Sequence, residues 1–193
     1  MALSPQALLV SAALGALGRR NLVLVGFMGT GKSSLGRAAA SALGRPFRDT
    51  DGAVQERAGC PIPEVFARWG EVRFREWEAE AVSALGRASA LVLATGGGVL
   101  ARPENVTALR AGGLLVALRA RPEVILHRVG GAEAARTRPL LAGGDPLARI
   151  RSLLAAREPM YAGADASLDT SDLTLEAAVR ALLRVVVATG SAC

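Results

Sequence analysis

Gly26-Phe27-Met28-Gly29-Thr30-Gly31-Lys32-Ser33-Ser34 fits the pattern G-x-x-x-x-G-K-[ST], the phosphate-binding P-loop. Both flanks suit it. Asn21-Leu22-Val23-Leu24-Val25 is a short apolar run that reads as a buried strand, and the Ala-rich stretch from Leu35 to Leu43 reads as a helix. A strand that feeds a glycine loop and then a helix aims backbone N–H groups and a helix N-terminus at one point, where a phosphate is stabilised. In this reading Lys32 reaches the β- and γ-phosphates of a nucleotide and the Ser33 hydroxyl binds Mg2+. Of the 23 Lys plus Arg residues, Lys32 is the only lysine. Lysine is kept where a compact ammonium is needed rather than a planar fork.

The 193 residues suggest one domain, large enough to need no disulfide or structural metal. Hydrophobic residues make up 51% but aromatics only 4%, so the core is aliphatic and suits parallel strands covered on both faces. A net charge of +6 and a pI of about 10.8 fit an enzyme with two anionic ligands. Nucleic acid is not expected, because no Lys/Arg-rich 5–8-mer occurs and the aromatics do not interleave with a basic stripe. Cys60 and Cys193 stand far apart without a CxxC pattern and read as free thiols of a reducing cytoplasm. His127 is the only histidine, so no His-based metal site or triad can be built. Met1 to Gly18 is Ala/Leu-rich and uncharged and precedes Arg19-Arg20. That charge order is wrong for a signal peptide and the run is too short to span a membrane. Residues 1–20 are therefore expected to form an extra helix or a frayed extension of the domain at 21–193.

The rest of the chain alternates strand and helix. Arg45 to Asp51 reads as a second strand ending in two acids, Asp49 and Asp51. On extended backbone their carboxylates share a side, either around Mg2+ beside Ser33 or in a solvated Asp-rich turn. Apolar residues at 62, 65, 66 and 69 have helical spacing, with Gly70 a stop before a long helix from Glu71. There Glu71, Arg75 and Glu78 can share one face. They form a solvated salt-bridge face, or Glu78 steadies the Arg75 fork for a carboxylate ligand. Ala90–Thr95 is a third strand running into Gly96-Gly97-Gly98, where three glycines suggest close backbone approach to a ligand or a plain turn. Gly113–Leu118 is strand four, and a helix follows from Pro122 to about Val129. The glycine-rich, basic segment from about 130 to 145, with Arg136 and Arg138, suits a lid. A helix over 147–156, a fifth strand over 166–170 and a helix over 173–187 complete the pattern. The fold class expected is α/β, a three-layer sandwich with a five-stranded parallel sheet of the P-loop NTPase type. Ligands bind such sheets at the carboxyl ends of the strands, and the P-loop, Asp49/Asp51 and the glycine triplet all fall on that edge.

Over roughly residues 21–188 these motifs resemble the shikimate kinase family, of the nucleoside-monophosphate-kinase-like P-loop fold. Asp49-Thr50-Asp51 resembles its D-T-D, and Phe66 through Glu78 (F-x-x-x-G-E-x-x-F-R-x-x-E) its substrate signature. Thr95-Gly96-Gly97-Gly98 resembles its glycine triplet, Arg138-Pro139-Leu140-Leu141 its lid motif, and Arg157-Glu158-Pro159-Met160-Tyr161 its R-x-P-x-Y. The resemblance implies transfer of the ATP γ-phosphoryl group to the 3-hydroxyl of shikimate. It implies that Lys32, Asp51 and Arg138 are catalytic, and that Gly29, Thr30, Gly31, Lys32, Ser33, Ser34, Arg128 and Arg138 bind ATP. Ser33 and Asp49 serve Mg2+; Asp51, Arg75, Gly97, Gly98 and Arg157 bind shikimate, with both arginines on its carboxylate. A soluble cytoplasmic monomer, with no membrane partner, is expected. Three features depart from the pattern: the first twenty residues, a lid a few residues longer between Arg128 and Arg138, and Ser171-Asp172 where some members place arginine near the adenine. A gluconate kinase is the nearest rival, disfavoured by two arginines for a carboxylate beside D-T-D. A non-catalytic sensor is the rival from another class, disfavoured by the presence of both Lys32 and Asp51.

Overall fold

The computed structural model describes residues 4–131, 141 and 144–190. Its elements run α1 (Pro5–Leu17), β1 (Asn21–Gly26), α2 (Lys32–Leu43), β2 (Phe47–Asp49), α3 (Thr50–Ala58), α4 (Ile62–Arg87), β3 (Val92–Ala94), α5 (Pro103–Gly112), β4 (Gly113–Arg119), α6 (Pro122–Arg128), α7 (Pro146–Ala162), β5 (Ala166–Asp169) and α8 (Leu175–Gly190). The five strands form one sheet in the order β2-β3-β1-β4-β5, and every pairing is parallel.

Period-two alternation makes this a sandwich. Leu22 and Leu24 of β1 face a cluster with Leu35 of α2, Leu17 of α1 and Leu182 of α8. Val23 and Val25 face the other cluster, with Val82 of α4, Leu109 of α5, Ile125 of α6 and Ile150 of α7. Both faces of β1 are thus buried, as a strand with no polar alternation requires. A small third cluster of Val54, Val65 and Phe74 joins α3 to α4. β1 ends at Gly26 because only glycine fits: its φ is 136°, and a Cβ would sit 2.4 Å from the Leu118 carbonyl oxygen.

Two expectations shift, and of the two readings given for the N-terminal segment the helix is the one formed. The N-terminal segment is a helix whose Ala13 and Leu17 are buried with α8. Ser4 caps it, accepting the Ala7 N–H at 3.2 Å. The helices on either side of Gly70 are continuous except at that residue, whose φ of 75° and ψ of 174° make the kink. The helix expected to end near residue 156 instead runs to Ala162 with Pro159 inside it. Proline removes a helical hydrogen bond. The turn holds because Tyr161 is buried and its hydroxyl donates to the Gly97 carbonyl at 2.7 Å. No helix among the described residues is long and apolar enough to cross a membrane.

Candidate active site

The carboxyl ends of β1, β2 and β3 meet at a cleft of about 630 Å3, whose walls include the P-loop, Asp51, Gly97, Arg128 and Thr170. No side chain caps the N-terminus of α2, so the amides of its first turn are left for an anion. Gly29, Thr30, Gly31, Ser33 and Ser34 all line the cleft. The Thr30 hydroxyl is turned inward and donates to the Phe27 carbonyl at 2.8 Å. Lys32 Nζ donates to the Gly26 and Phe27 carbonyls, each at 2.8 Å, which holds the ammonium across the loop.

Asp49 and Asp51 come together, but not by strand alternation. Asp49 ends β2 and is the N-cap of α3, while Asp51 already lies in the first helical turn. Capping is the reason: Asp49 Oδ1 accepts the Asp51 N–H at 3.1 Å, one of the bonds a helix N-terminus lacks. The other oxygen, Oδ2, accepts the Ser33 hydroxyl at 2.8 Å. Ser33 and Asp49 therefore present two adjacent oxygens at the P-loop mouth. All-oxygen donors with room for water suit Mg2+, a hard cation that keeps much of its hydration.

Asp51 is the most perturbed acid of the cleft. Burial, then the charges of Asp49 and Glu78, push its carboxyl from 3.8 up to about 6, against the pull of Lys32 and Arg75. Arg75 joins this acid cluster through Glu78. Its Nη1 donates to Glu78 Oε2 at 2.9 Å and its Nη2 to Glu71 Oε1 at 3.2 Å. Glu78 is 1% exposed, so the pair is not a solvated face. Burial lowers the Arg75 pKa, but its two glutamates outweigh that and hold it above the usual arginine value. The guanidinium lies against Gly98, whose Cβ would fall 3.0 Å from Nη1.

Arg157 reaches the same triplet from α7. Its Nη1 donates to the Gly97 carbonyl at 3.4 Å and its guanidinium lies over the Phe27 ring at 5.4 Å. Arg75 and Arg157 thus approach neighbouring glycines from two separate helices. Arg128 turns to Thr170, donating to its hydroxyl at 2.9 Å and its carbonyl at 2.6 Å. Arg121 forks Asp172 beside it at 2.7 and 2.6 Å. Arg136 and Arg138 and most of the expected lid lie outside the described residues.

Sequence reasoning missed three hydroxyls. Thr50 is fully buried and accepts the Gly96 N–H at 3.0 Å, fastening D-T-D to the glycine triplet. Tyr161 secures Gly97 as described above. Thr170, also buried, bonds to the Thr30 carbonyl at 3.0 Å. Thr50 and Tyr161 lie inside motifs already quoted, so their signal was position within a motif. Thr170 follows a strand end and carries no comparable mark.

The family model for shikimate kinase matches residues 28–187. The chain belongs to the shikimate kinase family. Shikimate kinases from Caldanaerobacter subterraneus and Geobacter sulfurreducens are similar to it, at 44% identity over 87% of this chain and 96% of the relative, and at 47% over 81% and 85%. Among solved structures, a shikimate kinase from Acinetobacter baumannii in complex with shikimate superposes with a TM-score of 0.78 at 35% identity, covering 89% of this chain and 93% of that one. A gluconokinase from Sinorhizobium meliloti has a TM-score of 0.58 at 21% identity, a likeness of fold alone. Members of this family are kinases, and the P-loop, D-T-D and glycine triplet meet here at one sheet edge as such an enzyme needs.

Proposed function

We propose that this shikimate kinase transfers the γ-phosphoryl group of ATP to the 3-hydroxyl of shikimate, giving shikimate 3-phosphate and ADP, through the residues of the cleft just described. One observation carries the residue assignment: the Asp51 carboxylate lines the P-loop cleft and feels the charges of both Lys32 and the Arg75–Glu78 pair. ATP occupies the P-loop side, with phosphates on the amides of residues 29–34 and on Lys32. Shikimate occupies the other side, its carboxylate gripped by Arg75 and Arg157, with Gly97 and Gly98 permitting close approach.

Phosphoryl transfer needs positioning and charge neutralisation more than covalent chemistry. Asp51, ionised above about pH 6, orients the acceptor hydroxyl and takes its proton as the oxygen bonds to the γ-phosphorus. The bond from that phosphorus to the β–γ bridging oxygen breaks, and the electron pair leaves with ADP. Lys32 stabilises the charge that gathers on the departing and transferring groups. Arg138 is the proposed further cation, and Arg128 the proposed contact to the nucleotide. Ser33 and Asp49 would hold Mg2+, which when bound neutralises phosphate oxygens. A cytoplasmic monomer is the proposed working form.

A coupled ADP-release assay tests this, with Mg-ATP alone, with shikimate, and with gluconate as the control acceptor. Release that depends on shikimate and not on gluconate supports the assignment. If neither acceptor drives release while ATP still binds, the sensor reading returns.

A further inference from the structure

A second depression, larger in volume and more open than the cleft, lies at the opposite edge of the sheet. It measures about 980 Å3 and is walled by the α1–β1 turn, the end of α4 and the flank of α5. Six-residue β1 separates it from the P-loop, roughly 17 Å at about 3.3 Å per residue. Arg19, Arg20 and Arg87 all line it.

Among the described residues these guanidiniums have no carboxylate partner, a state they share with nearby Arg45, whose fork is spent on the Arg20 and Gly18 carbonyls. Arg57, Arg73, Arg121 and Arg151 are each matched by a carboxylate. Arg19 Nη2 instead donates to the Ser89 hydroxyl at 3.0 Å, Arg87 Nη2 to the Ser83 hydroxyl at 2.9 Å, and Arg20 Nη2 to the Ala16 carbonyl at 2.8 Å. Each bond is to a neutral oxygen and uses only part of a five-donor fork. One carboxylate, Glu104, shares the wall, which leaves an excess of two positive charges.

The frame around them is fixed. Asn21 is 1% exposed. Its amide donates to the Ala88 carbonyl at 2.8 Å and accepts from the Leu91 N–H at 2.9 Å. The Ala90 N–H donates to the Arg19 carbonyl at 2.9 Å. Under the floor α4 and α5 touch backbone to backbone, since a Cβ on Gly86 would fall 2.8 Å from the Ala108 oxygen. The backbone that carries Arg19 and Arg87 is therefore held in place, while their exposed side chains are ordered by the Ser89 and Ser83 hydroxyls.

We propose that this cavity is a second binding site, separate from catalysis, for a small organic oxyanion. Guanidinium forks recognise the planar or tetrahedral oxygens of a carboxylate or phosphate. Serine hydroxyls on Ser83 and Ser89 add donors, and the alanines of α5 receive a compact carbon skeleton. The site uses Arg19 and Arg20, the dibasic pair that no step of phosphoryl transfer employs.

The test is calorimetric titration of the full chain, its cleft filled with MgADP and saturating shikimate, with inorganic phosphate in one arm and citrate in the other. The wild-type chain is expected to bind at least one probe, and Arg19→Gln/Arg87→Gln to weaken that binding about tenfold or more. kcat with shikimate should stay within about twofold, because neither residue belongs to the cleft. Stronger phosphate binding identifies a phosphate ester as the ligand class, and stronger citrate binding a carboxylate. Equal binding by wild type and variant, or no binding of either probe by the wild type, overturns the proposal. Should the variant fail to fold, selenate diffused into wild-type crystals decides: an anomalous peak between Arg19 and Arg87 supports the site, and its absence overturns it.

Discussion

Asp51 Oδ1 and Glu78 Oε1 are two buried carboxylate oxygens without a hydrogen-bond partner, and both press on the same point of backbone. A Cβ on Gly96 would fall 2.7 Å from the first and 2.8 Å from the second. Burial first, and then the like charges of Asp49 and Glu78, are why the Asp51 carboxyl stands at about 6.

That crowding has a stability consequence. With a folded pKa above its unfolded value of 3.8, the protonated form of Asp51 is the one folding favours. Its contribution is present below about pH 4 and is lost as pH rises through about 6. Asp51→Asn is therefore expected to stabilise the apo chain at pH 8, by about 1–3 kcal/mol, with little change at pH 4. It should also fold, bind ATP and lose turnover. Urea melts at both pH values and an ADP-release assay check this, and near wild-type kcat would remove Asp51 from the chemistry.

Thr50 is expected to act through Gly96. Thr50→Val keeps the shape but deletes the acceptor of the Gly96 N–H, leaving a buried donor at a cost of about 1–3 kcal/mol. KM for shikimate should rise while KM for ATP holds. Thr50→Ser restores the hydroxyl and should recover most of the loss. Equal behaviour of Val and Ser would reduce Thr50 to packing.

Arg157→Gln removes one arm of the proposed carboxylate grip. A lost charge-assisted hydrogen bond of about 1.5–3 kcal/mol raises KM for shikimate roughly 10- to 150-fold, with KM for ATP little changed. Tyr161→Phe loses the bond to Gly97 and the hydroxyl's contact with Arg157, leaves the guanidinium in place, and should cost about 1 kcal/mol in urea melts. Steady-state kinetics varying each substrate separate the two effects.

Leu17 tests whether α1 is part of the domain. It is 1% exposed and packed with α8, so Leu17→Ala should cost about 2–4 kcal/mol. Kinetic constants at a temperature well below Tm should be unchanged. A denaturation curve identical to wild type would mean that α1 is only loosely attached.

How legible all this was depended on the kind of information each residue carries. Strand β1 and the P-loop were legible because their signals are local: an apolar run, fixed glycines, a helix start. The Arg75–Glu78 pair was half legible. Helical spacing gave the pairing, but the burial of Glu78, which decides between a surface bridge and a buried one, depends on what packs over α4. Asp49 and Asp51 were placed together for a wrong reason, since capping overrode the extended backbone. The run of α7 past Pro159 was hidden because its support comes from Gly97, sixty residues away. Thr170 was hidden for the same reason: its partners Thr30, Arg119 and Arg128 are remote in sequence.

Lys32 holds the only side-chain ammonium in a chain whose other 22 Lys/Arg positions are guanidinium. Reagents that acylate or reductively alkylate lysine normally scatter over a protein surface; on this chain every lysine adduct falls at Nζ, between the carbonyls of Gly26 and Phe27. A general labelling reagent becomes an active-site titrant, and the rate at which the Lys32 adduct forms, read by peptide mass so that the α-amine adduct is kept apart, reports occupancy of the phosphate loop with and without MgATP.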